Sequence, residues 1–152
     1  AFLAFYAFMQ YKNRAKAIVP KTPEEIAIEQ LDALTQSDLL TQHKYKEFHT
    51  SISFILRTYL NGRFKIKALE RPTSAFAPQL KEHPLLKASL FEEFETVLEH
   101  ADLIKYAKAS PLDIANKKAL SFCFELIESV QEKLSQSELE TSNQATQKTV
   151  EK

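Results

Sequence analysis

One glycine and one cysteine in 152 residues set the first limits on this chain. Phosphate-cradling loops need several glycines, because the backbone must approach the phosphate closely and adopt positive φ. With Gly62 alone, neither a Walker loop nor a dinucleotide fingerprint nor a Gly-x-Ser-x-Gly nucleophile elbow can be built. The lone Cys123 excludes an internal disulfide and permits a reducing compartment. The same scarcity of glycine, with only six prolines, argues against a turn-rich β-fold and for helices. Charge of one sign is missing as well. Twenty basic residues balance twenty acidic ones, so nucleic-acid or anionic-lipid binding would need a local patch.

Metal-ligand spacing is also missing. His43, His49, His83 and His100 show no His-x-x-x-His pattern, and one cysteine makes no Cys-x-x-Cys pair. No metal site and no cofactor is expected, and surface or cap roles are expected for the histidines. Cys123, between Phe122 and Phe124, reads as a small core side chain rather than a nucleophile. Glu92, Glu93, Glu95 and Glu99 read as a solvated helix face, so no catalytic residue is assigned and no enzyme is expected.

What is present suits one helical domain. Hydrophobic residues make up 44% and charged residues 26%, ordinary for a protein with a single core. The chain opens with a stretch apolar on every face, Ala1 to Met9, and its first charge is Lys12. Nine residues of helix reach about 14 Å, near half of a hydrocarbon core. Tyr6 and Tyr11 are interface-type residues, and the basic cluster Lys12, Arg14, Lys16 and Lys21 follows. That order matches the cytoplasmic end of a transmembrane helix under the positive-inside rule. Residues 1–11 are expected to end a span whose remainder lies upstream, with residues 12–21 a basic juxtamembrane linker; the competing reading of the apolar stretch is a core helix packed on this domain.

Residues 22–134 read as the helical domain. Thr22-Pro23-Glu24-Glu25 offers an N-cap threonine, a first-turn proline and a glutamate three after the cap. The helix it opens presents Ile26, Ala27, Gln30, Leu31 and Leu34, and Leu39-Leu40 tuck under a short loop. Tyr45, Phe48, Ile52, Ile55, Leu56, Tyr59 and Leu60 recur at helical steps in the clearest helix of the chain. Gly62 is expected to close it as a left-handed cap. Arg63 to Lys67 alternates charged and apolar, an extended piece with Phe64 and Ile66 facing one way.

Glu70 to Thr73 reads as a turn and cap before a short helix that Pro78 makes irregular. A long helix from His83-Pro84 carries Leu86, Leu90, Phe91, Phe94, Val97, Leu98 and Ala101. A last helix after Ser110-Pro111 carries Ile114, Ala115, Phe122, Leu126, Ile127, Val130 and Leu134. Residues 135–152, rich in Ser, Thr, Gln and Glu, read as a disordered polar tail. The fold class is thus all-α, a small bundle of four to five helices preceded by the cytoplasmic end of a transmembrane helix. The expected core is Leu31, Phe48, Ile52, Ile55, Tyr59, Phe64, Phe91, Phe94, Leu98, Phe122, Leu126 and Ile127.

The strongest polar signal is Arg57, Arg63, Lys65 and Lys67, interleaved with Tyr59 and Phe64. Such a segment, with Lys12, Arg14 and Lys16, could contact lipid head groups or a nucleic-acid backbone. Its aromatics also fit the core periodicity, which makes structure the competing explanation. Asp102, Lys105 and Lys108 are expected to form an outward, partner-facing surface, with Leu103, Ile104 and Tyr106 anchoring their segment in the core.

Two segments carry a resemblance: Gln42 to Thr73, with its Leu-Arg-Thr-Tyr-Leu-Asn-Gly-Arg-Phe-Lys-Ile run, and Ala101-Asp-Leu-Ile-Lys-Tyr-Ala-Lys. Together they resemble the cytoplasmic helical domain of BatD-like membrane proteins, encoded with the Bat aerotolerance group in Bacteroidetes-type bacteria. The resemblance spans roughly residues 22 to 134. It departs at Arg71-Pro72, where a Thr-Thr pair is usual, and at Pro78. It implies an inner-membrane protein with this domain in the cytoplasm. It also implies association with von Willebrand A-type membrane proteins and a MoxR-type AAA+ ATPase, and carries no catalytic residues. The resulting expectation is a non-enzymatic, membrane-anchored adaptor or scaffold. The alternative is a nucleic-acid or anionic-lipid module using Arg57 to Lys67; clustering of those charges favours the alternative and dispersal favours the adaptor.

Overall fold

The computed structural model describes residues 19–107 and 113–150 of the chain. Five helices run through them: α1 (Pro23–Gln36), α2 (Tyr45–Arg63), α3 (Thr73–Lys81), α4 (Ala88–Ala107) and α5 (Asp113–Val150), with no strand among the described residues. α2 lies centrally, packing against α1, α4 and α5; α1 also meets α5, and α3 leans on α4. Among the described residues no helix is long and apolar enough to cross a membrane. Residues 1–11, read above as the end of a span, and most of the 12–21 linker lie outside them.

α1 starts where its sequence signal falls. Thr22 Oγ1 accepts from the Glu25 amide at 3.2 Å, and Glu25 Oε2 accepts from the Thr22 amide at 2.9 Å. This reciprocal pair satisfies two of the donors a helix start leaves open. Ala27, Leu31 and Leu34 are buried, whereas Ile26 is largely exposed, because Glu24 takes the inward position beside them. Leu39 and Leu40 pack against the core from the loop, as expected.

α2 buries Phe48, Ile52, Ile55, Leu56, Tyr59 and Leu60, its apolar stripe. Each such side chain contributes about 1.5–3 kcal/mol by leaving water. All twelve residues of the expected core are buried, joined by α3's Phe76 and Leu80 and by Cys123 of α5.

Gly62 departs from expectation. It remains inside α2, and no glycine has positive φ. The left-handed residue is Lys65, φ 57°, and the Ile66 amide turns back to the Leu60 carbonyl at 3.4 Å. Gly62 is needed for room: a Cβ there would sit 3.3 Å from Cβ and Cγ of Pro23. Phe64 and Ile66 are both buried, but not on the extended piece expected: Arg63 ends α2, Phe64 keeps helical backbone (φ −96°, ψ −4°) and Lys65 is left-handed.

Further differences lie at helix ends. Pro72, not Thr73, occupies the α3 N-cap, and Pro78 is accommodated within α3. α4 begins at Ala88 rather than at Pro84, since residues 84–86 form a turn in which His83 Nδ1 accepts from the Leu85 amide at 3.2 Å. The cap expected at Ser110-Pro111 lies outside the described residues. α5 runs for 38 residues, about 57 Å of helix, and continues over 135–150 where composition reads as a disordered tail. Residues 135–148 are exposed throughout. Ser135, Thr141 and Thr146 hydroxyls bond to carbonyls four residues back, so local bonds rather than packing hold that stretch.

The end of α2 is tied to the start of α1 by a buried charge. Glu24 is 2% exposed and receives Arg63 Nε at 2.6 Å, Arg63 Nη2 at 2.5 Å and the Tyr59 hydroxyl at 3.1 Å. Burial pushes the Glu24 carboxyl up, but the bonds from Arg63, its own amide and Tyr59, with the Arg63 charge, outweigh it. The carboxyl is therefore held below its ordinary value of 4.5.

Two stability predictions come from this end of the bundle. Gly62→Val is expected to cost about 1–3 kcal/mol through overpacking against Pro23, with part of the loss recovered in a Pro23→Ala background; chemical denaturation midpoints of the four combinations measure both. Glu24→Gln is expected to cost about 2 kcal/mol at pH 7, by weakening hydrogen bonds to a charged group. A depressed carboxylate adds stability above its unfolded pKa and loses it as pH falls through the folded one. The gap between wild type and Glu24→Gln should accordingly close as pH drops below 4.5, read from urea titrations along a pH series.

Candidate functional site

The outward side of α2 carries Thr50, Ser53, Phe54 and Arg57, spaced at i, i+3, i+4 and i+7 and so on one helical face. Phe54 lies well away from the buried stripe and is 53% exposed. It stands as a ridge between two grooves. On the α1 side a groove of about 520 Å³ is lined by Ala33, Leu34, Leu39, Thr50, Phe54 and Ile55 without a charged residue. On the α4 side a groove of about 450 Å³ is lined by Thr50, Phe54, Arg57, Leu69, Asp102, Lys105 and Tyr106, with the Glu70–Pro72 turn. Thr50 and Phe54 belong to both, so the two grooves flank one ridge on α2, and the α4-side trough is the one that carries charge.

Arg57 organises the second groove without being free to bind. Nη1 donates to the carbonyls of Ala68 and Arg71, each at 2.7 Å; Nη2 donates to Thr73 Oγ1 at 3.0 Å and Nε to Ser53 Oγ at 3.2 Å. The guanidinium lies 5.3 Å from the centroid of the Phe76 ring, and Asp102 Oδ2 is 3.9 Å away. Four of its five N–H groups are engaged by the protein, and the Asp102 carboxylate stands nearest the fifth. The planar fork fastens the turn after α2 to the helix, a geometry an ammonium cannot reproduce.

The segment of four basic residues is therefore dispersed. Arg57 and Arg63 turn inward to fixed partners, and Lys65 and Lys67 are exposed. Lys12, Arg14 and Lys16, the other candidate lipid contacts, lie outside the described residues, as does Lys108.

The α4 end also differs from expectation. Its buried stripe is Leu90, Phe91, Phe94, Val97, Leu98, Ala101 and Ile104. Continuing that helical period places Leu103 and Tyr106 away from the core, and they are 56% and 74% exposed rather than anchoring. Asp102 and Lys105 flank the stripe instead, both half-buried. Asp102 faces Arg57, and Lys105 Nζ lies 5.1 Å from the Tyr106 ring. Two of the three residues expected to form a partner surface thus line the groove, together with Tyr106, which the sequence pattern places in the interior. Phe54 could have been found from sequence, since it is the aromatic that the α2 stripe leaves out; Leu69, in a turn, had no such signal.

Elsewhere the expected chemistry is placed as follows. Cys123 is fully buried, and burial pushes its thiol up to about 12. The Glu92, Glu93 and Glu99 side chains are exposed and Glu95 is half-buried. No three His, Cys, Asp or Glu side chains are grouped to hold a metal ion among the described residues. Among the histidines, His43 is exposed and His83 half-buried, but His49 is wholly buried, contrary to the surface or cap role expected of it. No known protein family, curated protein or solved structure matches this chain.

Replacing Arg57 should free the turn that follows α2. Arg57→Lys is expected to cost about 2 kcal/mol, since the Ala68 and Arg71 carbonyls and Thr73 Oγ1 lose charge-assisted donors. Hydrogen exchange should quicken over residues 64–73 before it changes in α1; equal protection in the variant and the wild type would remove Arg57 from this role.

Proposed function

We propose that this chain is a non-enzymatic adaptor that docks a protein partner in the α4-side trough beside the Phe54 ridge of α2, as part of a membrane-anchored scaffold. The observation that carries the reading is the gathering of Phe54, Leu69 and Tyr106, all substantially exposed, around the half-buried pair Arg57 and Asp102. Single exposed apolar side chains are ordinary on any surface. Three along one groove, beside a second groove free of charge, are the composition of an interface: aromatic anchors with a polar rim. The mode that suits a trough walled by α2 and α4 is an amphipathic helix laid into it.

The resemblance to the BatD-like cytoplasmic domain supplies the proposed setting. In it the domain faces the cytoplasm at a bacterial inner membrane, residues 1–11 lead from the span, and the partners are von Willebrand A-type proteins and a MoxR-type ATPase. The alternative, a nucleic-acid or anionic-lipid module, draws less support. Its basic segment keeps two exposed lysines, Lys65 and Lys67, once Arg57 and Arg63 are committed internally. Two exposed charges make a weak electrostatic footprint.

The test is to purify the full-length protein from membranes in mild detergent, as wild type and as the triple variant Phe54→Ser, Lys105→Glu, Tyr106→Ser. Phe54 and Tyr106 are exposed and Lys105 is half-buried at the rim, so the thermal midpoint is expected to stay within a few degrees. A von Willebrand A-type protein or the ATPase should co-purify with wild type and drop at least tenfold with the variant. Equal recovery by two folded proteins refutes docking in this groove, and RNA or anionic lipid in its place would favour the alternative.

A further inference from the structure

A second polar cluster lies inside the bundle, where α2, α4 and α5 meet. His49 on α2 and Asn116 near the start of α5 are both fully buried, and His49 Nε2 is 2.7 Å from Asn116 Oδ1. The His49 ring meets that of His100 on α4 edge to face, with centroids 5.4 Å apart, and Phe48 packs against its other side at 5.3 Å. An amide oxygen only accepts, so Nε2 must carry the proton of this bond. The neutral ring then has a bare Nδ1, and neither Nδ1 nor the Asn116 amide nitrogen has a hydrogen-bond partner among the described residues.

Adding a proton to this ring puts a positive charge and a new donor at Nδ1, in a fully buried place without an acceptor. From α4 the titratable group facing it is His100, a second imidazole and not a carboxylate; from α5 the facing group is the uncharged Asn116. His100 is the one titratable group acting electrostatically on His49 among the described residues, so none from α1 offsets the charge. We propose that His49, Asn116 and His100 form an acid-sensitive latch that holds the last turns of α4 and the first turns of α5 onto α2 and releases them when the His49 ring is protonated.

The sign follows from linkage. Burial, and to a lesser degree the His100 charge, hold the His49 imidazole below its ordinary 6.5 against the bond to Asn116. The closed state therefore binds fewer protons than the open one. The latch is fully held above pH 6.5 and weakens as pH falls below it, by about tenfold in the open-to-closed ratio per pH unit for one proton. The other end of α2 does not follow, because the Glu24 carboxylate stays charged until below 4.5. Between those two values the bundle opens at one end only.

Hydrogen exchange of the chain between pH 7.5 and 5, corrected for intrinsic rates, tests this together with the imidazole resonances of His49. Protection over residues 97–107 and 114–120 should fall as pH drops below 6.5, by up to about tenfold per pH unit, with the His49 ring titrating below 6.5, while α1 and the 59–63 end of α2 keep theirs. The double variant His49→Leu, Asn116→Leu removes the titrating pair and should lose the acid dependence while His100→Gln keeps it. Constant protection down to pH 5, a fall shared equally by α1, or a His49 ring that titrates at or above 6.5 would each overturn the latch. The resonance measurement on wild type decides the matter even if the double variant does not fold.

Discussion

The desolvation of α2 governs this structure. The helix is wrapped by α1, α4 and α5, so any polar side chain on its inner faces must find a partner there or weaken the fold. Three polar ties meet that demand at three heights. His49 reaches Asn116 of α5; Arg57 holds the 68–71 turn and Thr73 of α3; Tyr59 and Arg63 hold Glu24 of α1. Apolar contacts are non-directional and tolerate shifts in register, whereas these bonds are met in one arrangement. The core supplies most of the stabilising free energy, and the ties specify which helix end meets which.

That division leaves little of the strongly basic segment for outside use. A guanidinium with four donors bound inside is a structural element, however much its sequence context resembles a binding patch. What remains for a partner is the uncovered strip of α2, with Phe54 on its crest and the end of α4 along one wall. The trough and the internal ties share residues: Arg57 lies in the groove and is also the clamp beneath it, so the shape of the groove depends on the turn it holds.

The ties also differ in character. The Glu24 tie is charged and strengthens itself, since each donor drawn to the carboxylate favours the ionised form. The His49 tie is neutral and incompletely matched, with a bare ring nitrogen on one side and a free amide hydrogen pair on the other. Such a site is held by its surroundings rather than by its own bonds. That asymmetry makes one end of α2 robust to acid and the other responsive.

By itself the sequence determined the helical class, the start of α1, the stripe of α2 and the membership of the core, all of which follow from local rules. A capping box needs four consecutive residues, and a buried stripe needs a period of 3.6. Tertiary structure alone decided where the long-range partners lie. Glu24 and Arg63 are 39 residues apart, and His49 and Asn116 are 67 apart; no periodicity marks either pair. It also reassigned Gly62, whose missing Cβ makes room for Pro23 rather than for a left-handed turn, a need visible only once α1 lies across α2. Leu103 and Tyr106 were misread for a related reason. A run of apolar residues suggests burial, but a helix presents one face to the core, and the position of α4 against α2 leaves those two side chains facing water.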